Sequence, residues 1–152
     1  MNRTTPALAS ALALALAPAG PLPASASASA AEPASLTVAV TGIRNTHGAL
    51  LACVFKEPAG FPTCQKSPSA IRQRLKISGS AMSVRFPDLA PGTYAVTVQH
   101  DEDGDGKLKT NFIGIPQEGV GISNNPGGIP RWNKAVITLS GARTIAITMR
   151  YL

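Results

Sequence analysis

Residues 87–100 read PDLAPGTYAVTVQH, and this stretch decides the fold. Pro91-Gly92 marks a tight turn, because proline presets its own φ and glycine tolerates positive φ. Beyond the turn the side chains alternate. Tyr94, Val96 and Val98 share one face, and Ala95, Thr97 and Gln99 share the other. A period of two with one apolar face predicts a β-strand laid on a core. His100 falls on the Tyr94 face, where the apolar stripe meets the next segment.

The same period recurs on both sides. Leu36, Val38 and Val40 alternate with Thr37, Ala39 and Thr41, and Gly42 ends the run. Asn45-Thr46-His47-Gly48 reads as a turn, and Ala49–Lys56 is almost continuously apolar, as in a central strand covered on both faces. These two runs read as an antiparallel hairpin. Ser69–Ser78 holds Ile71, Leu75 and Ile77, which suit a strand or a short helix. Ala81–Phe86 turns Val84 and Phe86 inward, and Ala135–Leu139 and Thr144–Tyr151 are two more strands joined through Ser140-Gly141. Short strands separated by turn chemistry, with no helical period and no internal repeat, predict an all-β fold. The expectation is an Ig-like or prealbumin-like antiparallel β-sandwich of about seven strands with one long irregular loop.

The first thirty residues read differently. Arg3 precedes an Ala/Leu run over 7–17 that is too short to span a bilayer, and prolines end it at 18, 21 and 23. An Ala/Ser tract follows, with small-x-small cleavage choices after Ala26, Ala28 and Ala30. Residues 1–30 are therefore expected to be a secretory signal peptide and residues 31–152 a single domain, periplasmic or extracellular. No later segment is long and apolar enough for a membrane span. Without Arg3 the basic excess is about +5, from 14 Lys and Arg against 8 Asp and Glu in the whole chain. The bases are scattered and aromatics are only 5% of residues, so nucleic acid is not an expected partner. Arg72, Arg74 and Lys76 alternate along one strand face, which reads as a solvated face. An unknown ligand or a cell-envelope component is the expected partner. In an exported chain, Cys53 and Cys64 are expected to form a disulfide that pins the turn-rich segment around Phe61-Pro62 to the sheet.

Chemistry concentrates in His100–Asn125, HDEDGDGKLKTNFIGIPQEGVGISNN. Asp101, Asp103 and Asp105 alternate and Gly106 follows, the spacing by which a short loop turns several oxygens to one hard cation. The Lys107 carbonyl offers a fourth oxygen, and Glu102, Asn111, Glu118 and Asn124 are further donors. Phe112 stands where an EF-hand loop carries its bidentate Glu, and no helix flanks the segment, so this is not an EF-hand. Bound Ca²⁺ is one reading. Turn chemistry, with the carboxylates balanced by Lys107, Lys109 or His100, is the other.

Three further readings stay open. His100 beside Asp101 could be a general base, yet no nucleophile motif accompanies it, and a loop-anchoring histidine is the plainer role. Glu118 and Asp101 could form an acid pair for glycan or peptidoglycan hydrolysis, or Glu118 could brace the loop. Gly119 and Gly121 admit positive φ, and Ser123, Asn124 and Asn125 can cross-link the segment. Trp132 suits either a carbohydrate contact or a cap on the core.

The runs LTVAVTGIRN (36–45), Gly60-Phe61-Pro62, FPDLAPGTYAV (86–96), HDEDGDGKL (100–108) and GIPQEGVGISNN (114–125) together resemble one exported bacterial family, catalogued as domain of unknown function 2141. The likeness covers nearly all of the chain after the leader. It implies a small exported all-β protein and no established activity, substrate or cofactor. The Pro-Gly-Thr-Tyr turn and strand also look like carboxypeptidase-regulatory and collagen-adhesin B-type sandwiches. The function expected is a non-catalytic exported module whose loop 100–125 forms a binding surface, with a small periplasmic hydrolase as the alternative.

Overall fold

A computed structural model describes residues 32–152, so the expected signal peptide and its cleavage choices lie outside the described residues. Eight strands form two packed sheets. They are β1 (Ala34–Thr41), β2 (Ala49–Phe55), β3 (Ile71–Lys76), β4 (Ala81–Leu89), β5 (Gly92–Asp101), β6 (Gly119–Ile122), β7 (Ile137–Leu139) and β8 (Ala142–Thr148). The smaller sheet has the order β4-β1-β8. The larger has the order β3-β2-β5-β6, with β7 paired to the start of β5. The chain is the expected β-sandwich.

The core lies between the sheets and follows the period of two. Leu36, Val38 and Val40 of β1 meet Leu50, Ala52 and Val54 of β2 and Tyr94, Val96 and Val98 of β5. Each fully buried aliphatic of this set contributes roughly 1.5–3 kcal/mol. Tyr94 also donates its hydroxyl to the Ala90 carbonyl at 2.6 Å, which locks the Pro91-Gly92 turn against its own strand.

Four expectations need correction. β1 and β2 are not a hairpin: β1 pairs with β4 and β8, and β2 with β3 and β5, so residues 42–48 cross between sheets. Neighbours in sequence usually pair, but a sandwich must cross its core somewhere. The β1–β8 pair is parallel, because Ser140-Gly141 carries the chain from β7 in one sheet to β8 in the other. A single helical turn, Trp132–Ala135, replaces the start of the strand expected from Ala135. The long segment is also less irregular than its composition suggested. It contains β6, and residues 109–117 fold back as a small hairpin, with Gln117 N–H on the Lys109 carbonyl at 2.9 Å and Asn111 N–H on the Ile115 carbonyl at 2.9 Å.

In β4, Pro87 and Asp88 together oppose the single residue Ser35 as a bulge, with Asp88 at φ 55°. Pro87 is tolerated because β4 is an edge strand.

Candidate functional site on the outer face of the larger sheet

Strand parity sends Leu51, Cys53, Thr97, Gln99, Val120 and Ile122 to the face away from the core, in two cross-strand rows. This face explains why β2 is apolar on both sides: three loops, residues 56–69, 102–118 and 123–131, fold over it. The first loop runs from Lys56 to Ser69 and is held by the Cys53–Cys64 disulfide, with Cα atoms 5.9 Å apart. Phe61 stands edge-on to Phe55 at 5.4 Å, and Trp132 edge-on to Phe61 at 5.7 Å. Trp132 thus caps a small second core around the disulfide. The Arg72 guanidinium donates to the Cys64 carbonyl at 2.8 Å and to the Ser67 carbonyl.

The acidic turn is the second cover. Asp101 is fully buried and accepts from Gly104 N–H at 3.0 Å, Gly106 N–H at 3.0 Å and the Arg74 guanidinium at 2.6 Å. Asp103 and Asp105 are exposed and accept from the N–H groups two residues on, at 3.3 and 2.7 Å. Gly104 and Gly106 take φ of 79° and 77°, which only glycine adopts cheaply. One carboxylate oxygen from each of the three aspartates lies within 4.8 Å of the others. The Lys107 carbonyl already accepts from Gln99 at 2.7 Å. Arg74 stands as a resident cation on this turn, so two of the exposed bases of β3, Arg72 and Arg74, also hold loops.

Glu118 is buried behind the turn. It accepts from Glu102 N–H at 3.0 Å, Lys109 N–H at 3.0 Å and Gln99 Nε2 at 3.3 Å. Adjacent residues of a strand point to opposite faces, so His100 and Asp101 are not a pair. His100 faces inward, with Nε2 at 2.9 Å from the His47 carbonyl and Nδ1 at 2.8 Å from the Tyr151 hydroxyl. A carbonyl only accepts, so Nε2 carries the proton and Nδ1 accepts from Tyr151. Burial raises the Tyr151 phenol above its ordinary range, which keeps it a donor. Arg44 lies 4.4 Å from the Tyr151 ring centre and forms a two-bond ion pair with Glu102. That hydrogen-bonded ion pair holds the Glu102 carboxyl down to about 2.

The remaining polar residues of the segment hold its corners. Asn111 accepts from Ile113 and Ile115 N–H at 3.1 and 2.9 Å. Ser123 is buried, accepting from Val96 N–H at 2.9 Å and donating to the Ala135 carbonyl at 2.5 Å. Asn124 and Asn125 adopt φ of 65° and 47°. Asn124 donates to the Lys134 and Val136 carbonyls at 3.1 and 3.0 Å. The positive φ expected at Gly119 and Gly121 falls on these asparagines instead. The two glycines are extended and are required by packing: a Cβ on Gly119 would stand 2.6 Å from Tyr151 Cζ, and one on Gly121 2.5 Å from Ile147 Cγ2.

Sequence reasoning missed what the three loops enclose. Two adjoining cavities, of about 390 and 260 Å³, share Gly114, Pro116, Val120, Gly121, Ile122 and Pro130 in their linings. The smaller is floored by Leu51, Thr97 and Gln99 and walled by Pro62, Cys64 and Leu108. The larger opens past Ile115, Ile129 and Leu152, which are 39%, 77% and 77% exposed. The available signal was the isoleucines at 115, 122 and 129, set without period in a Gly/Asn/Pro context. Of the polar residues proposed from sequence for the binding loop, Asn125 alone lines this groove.

Fold and site define a small β-sandwich domain with one sheet roofed by tied-down loops around an apolar groove. The chain belongs to the family DUF2141, described as an uncharacterised protein conserved in bacteria, whose model matches residues 38–146. No curated protein and no solved structure matches it.

Proposed function

We propose that this chain is an exported, non-catalytic binding module whose ligand lies in the groove over the outer face of the larger sheet. The groove carries the reading. It falls in the size range of small-molecule sites, its lining is mainly apolar with a few polar groups, and its walls are pinned by a disulfide, Arg72, Arg74 and Glu118. Pre-formed walls reduce the ordering cost of binding. Export is supported by the leader-like run over 7–17 and by the disulfide. N-terminal sequencing of envelope-fraction protein tests it, with Ser27, Ser29 or Ala31 as the expected first residue.

The groove is tested with the neutral dye Nile red. Saturable fluorescence is expected with the wild type and is lost in an Ile115→Asp, Ile129→Asp double variant that melts at an unchanged temperature. A wild-type protein that leaves the dye dark overturns the reading. The hydrolase alternative draws on Glu118, Asp101 and His100, and each of these is buried and hydrogen-bonded to the segment it holds. Weak calcium binding on the acidic turn is a second reading, favoured by the convergence of Asp101, Asp103 and Asp105. Arg74 opposes it by charge, so the expected dissociation constant is of the order of 10⁻⁴–10⁻³ M.

A further inference from the structure

The charge pattern of the groove narrows its ligand. The smaller cavity is lined by no ionisable side chain, and the larger by one, Arg150. Arg150 is exposed and forms no ion pair among the described residues. Its guanidinium makes one long hydrogen bond, 3.4 Å to the Asn125 carbonyl. Its backbone is fixed, because Arg150 and Val120 exchange N–H to carbonyl bonds of 2.8 and 2.9 Å. A cation is therefore tethered from a fixed backbone position on the rim of the larger cavity, with most of its donors free. The larger cavity continues into the smaller through shared walls, and among the described residues the lining offers no carboxylate side chain.

We infer that the groove takes an anionic amphiphile, a single acyl chain lying along the two cavities with its carboxylate on Arg150. This rests on the groove reading above and adds ligand class and orientation. The planar guanidinium matches a carboxylate with two parallel hydrogen bonds. The apolar floor side chains Leu51, Val120 and Ile122 remove the methylenes of the chain from water.

The probe is dodecanoate below its micellar concentration, titrated into the purified chain by calorimetry and by Nile red displacement. One molecule is expected to bind per chain and to expel the dye. Arg150→Gln should weaken dodecanoate about tenfold or more, the loss of one charged hydrogen-bonded contact. Arg150→Lys should recover part of the affinity. Dodecyltrimethylammonium should bind at least about tenfold more weakly than dodecanoate, and acetate should not register. Equal binding of dodecanoate by wild type and Arg150→Gln overturns the inference, as does a cationic amphiphile that matches dodecanoate. In either case an intact Nile red signal leaves the groove itself standing. A blocked, uncharged Val/Thr peptide that displaces the dye better than dodecanoate reassigns the groove to an extended chain. Dye exclusion that tracks dimer formation in sedimentation reassigns it to a second copy.

Discussion

Replacing Glu118 by glutamine separates a bracing carboxylate from an acid catalyst. The carboxylate sits 2% exposed and receives three donors, two of them backbone N–H groups from Glu102 and Lys109. Glutamine keeps the shape but turns one oxygen into an amide donor. Whichever way the amide faces, at least one backbone N–H loses its acceptor and meets a donor. An orphaned buried donor costs about 1–3 kcal/mol, and the surviving bonds fall from charged to neutral strength. The sum is about 2–4 kcal/mol. In a domain of this size each kcal/mol moves the melting temperature by about 4 °C. Glu118→Gln should therefore melt about 10 °C lower by circular dichroism, with faster amide exchange at Lys109 and Glu102. Asp103→Asn is the control. Its carboxylate is exposed and accepts one 3.3 Å bond, so its change should be under about 0.5 kcal/mol. A Glu118→Gln protein that melts within 2 °C or so of the wild type refutes the reasoning.

Three further outcomes follow from the same geometry. Glu102 titrates near 2 when folded and near 4.5 when unfolded, so the unfolded chain takes up the proton first as the pH falls. The Arg44–Glu102 contribution should be whole above pH 4.5 and fade toward pH 2. Urea midpoints of wild type and Arg44→Met should thus converge on acidification, and a gap independent of pH counts against it. Removing the disulfide with Cys53→Ala, Cys64→Ala should cost about 2–3 kcal/mol and loosen the loop that carries Phe61, read as increased proteolysis between Lys56 and Ser69. Calcium at about 100 times its dissociation constant should add about 2.7 kcal/mol to the wild type and nothing to Asp103→Asn, Asp105→Asn; a melting curve unmoved by calcium assigns the turn to its own hydrogen bonds alone.

The parts of the fold legible in sequence were those with a local cause. Alternation in 94–98 and 36–41 reports which face meets the core, because each strand carries its own period. Gly106 reports its turn through a φ of 77°, and Pro91 marks the bend that leads into β5 at Gly92. Pairing partners were not legible, since nothing in β1 says that β8 will lie beside it in parallel across a hundred residues. Gly119 read as a place for positive φ, and only Tyr151, distant in sequence, shows that it clears space for a ring. The acidic turn drew attention through its polar residues, whereas the groove depends on Leu51 of β2 meeting Val120 and Ile122 of β6 across β5.

Asn125 has a consequence beyond its own loop. Its side-chain amide donates to the Ala146 carbonyl at 3.1 Å and accepts from Thr148 N–H at 2.8 Å, standing in for one peptide of a neighbouring strand. The Val120–Arg150 bridge continues that cover, so the outer edge of β8 presents few unmet backbone groups toward its end. Two further margins, β4 and β3, carry Pro87 with its bulge and the Arg72, Arg74, Lys76 row. Each discourages another molecule from adding a strand. A β-rich protein guarded in this way should stay dispersed at high concentration, and Asn125→Val, which uncovers β8, should be the change that first seeds fibrils.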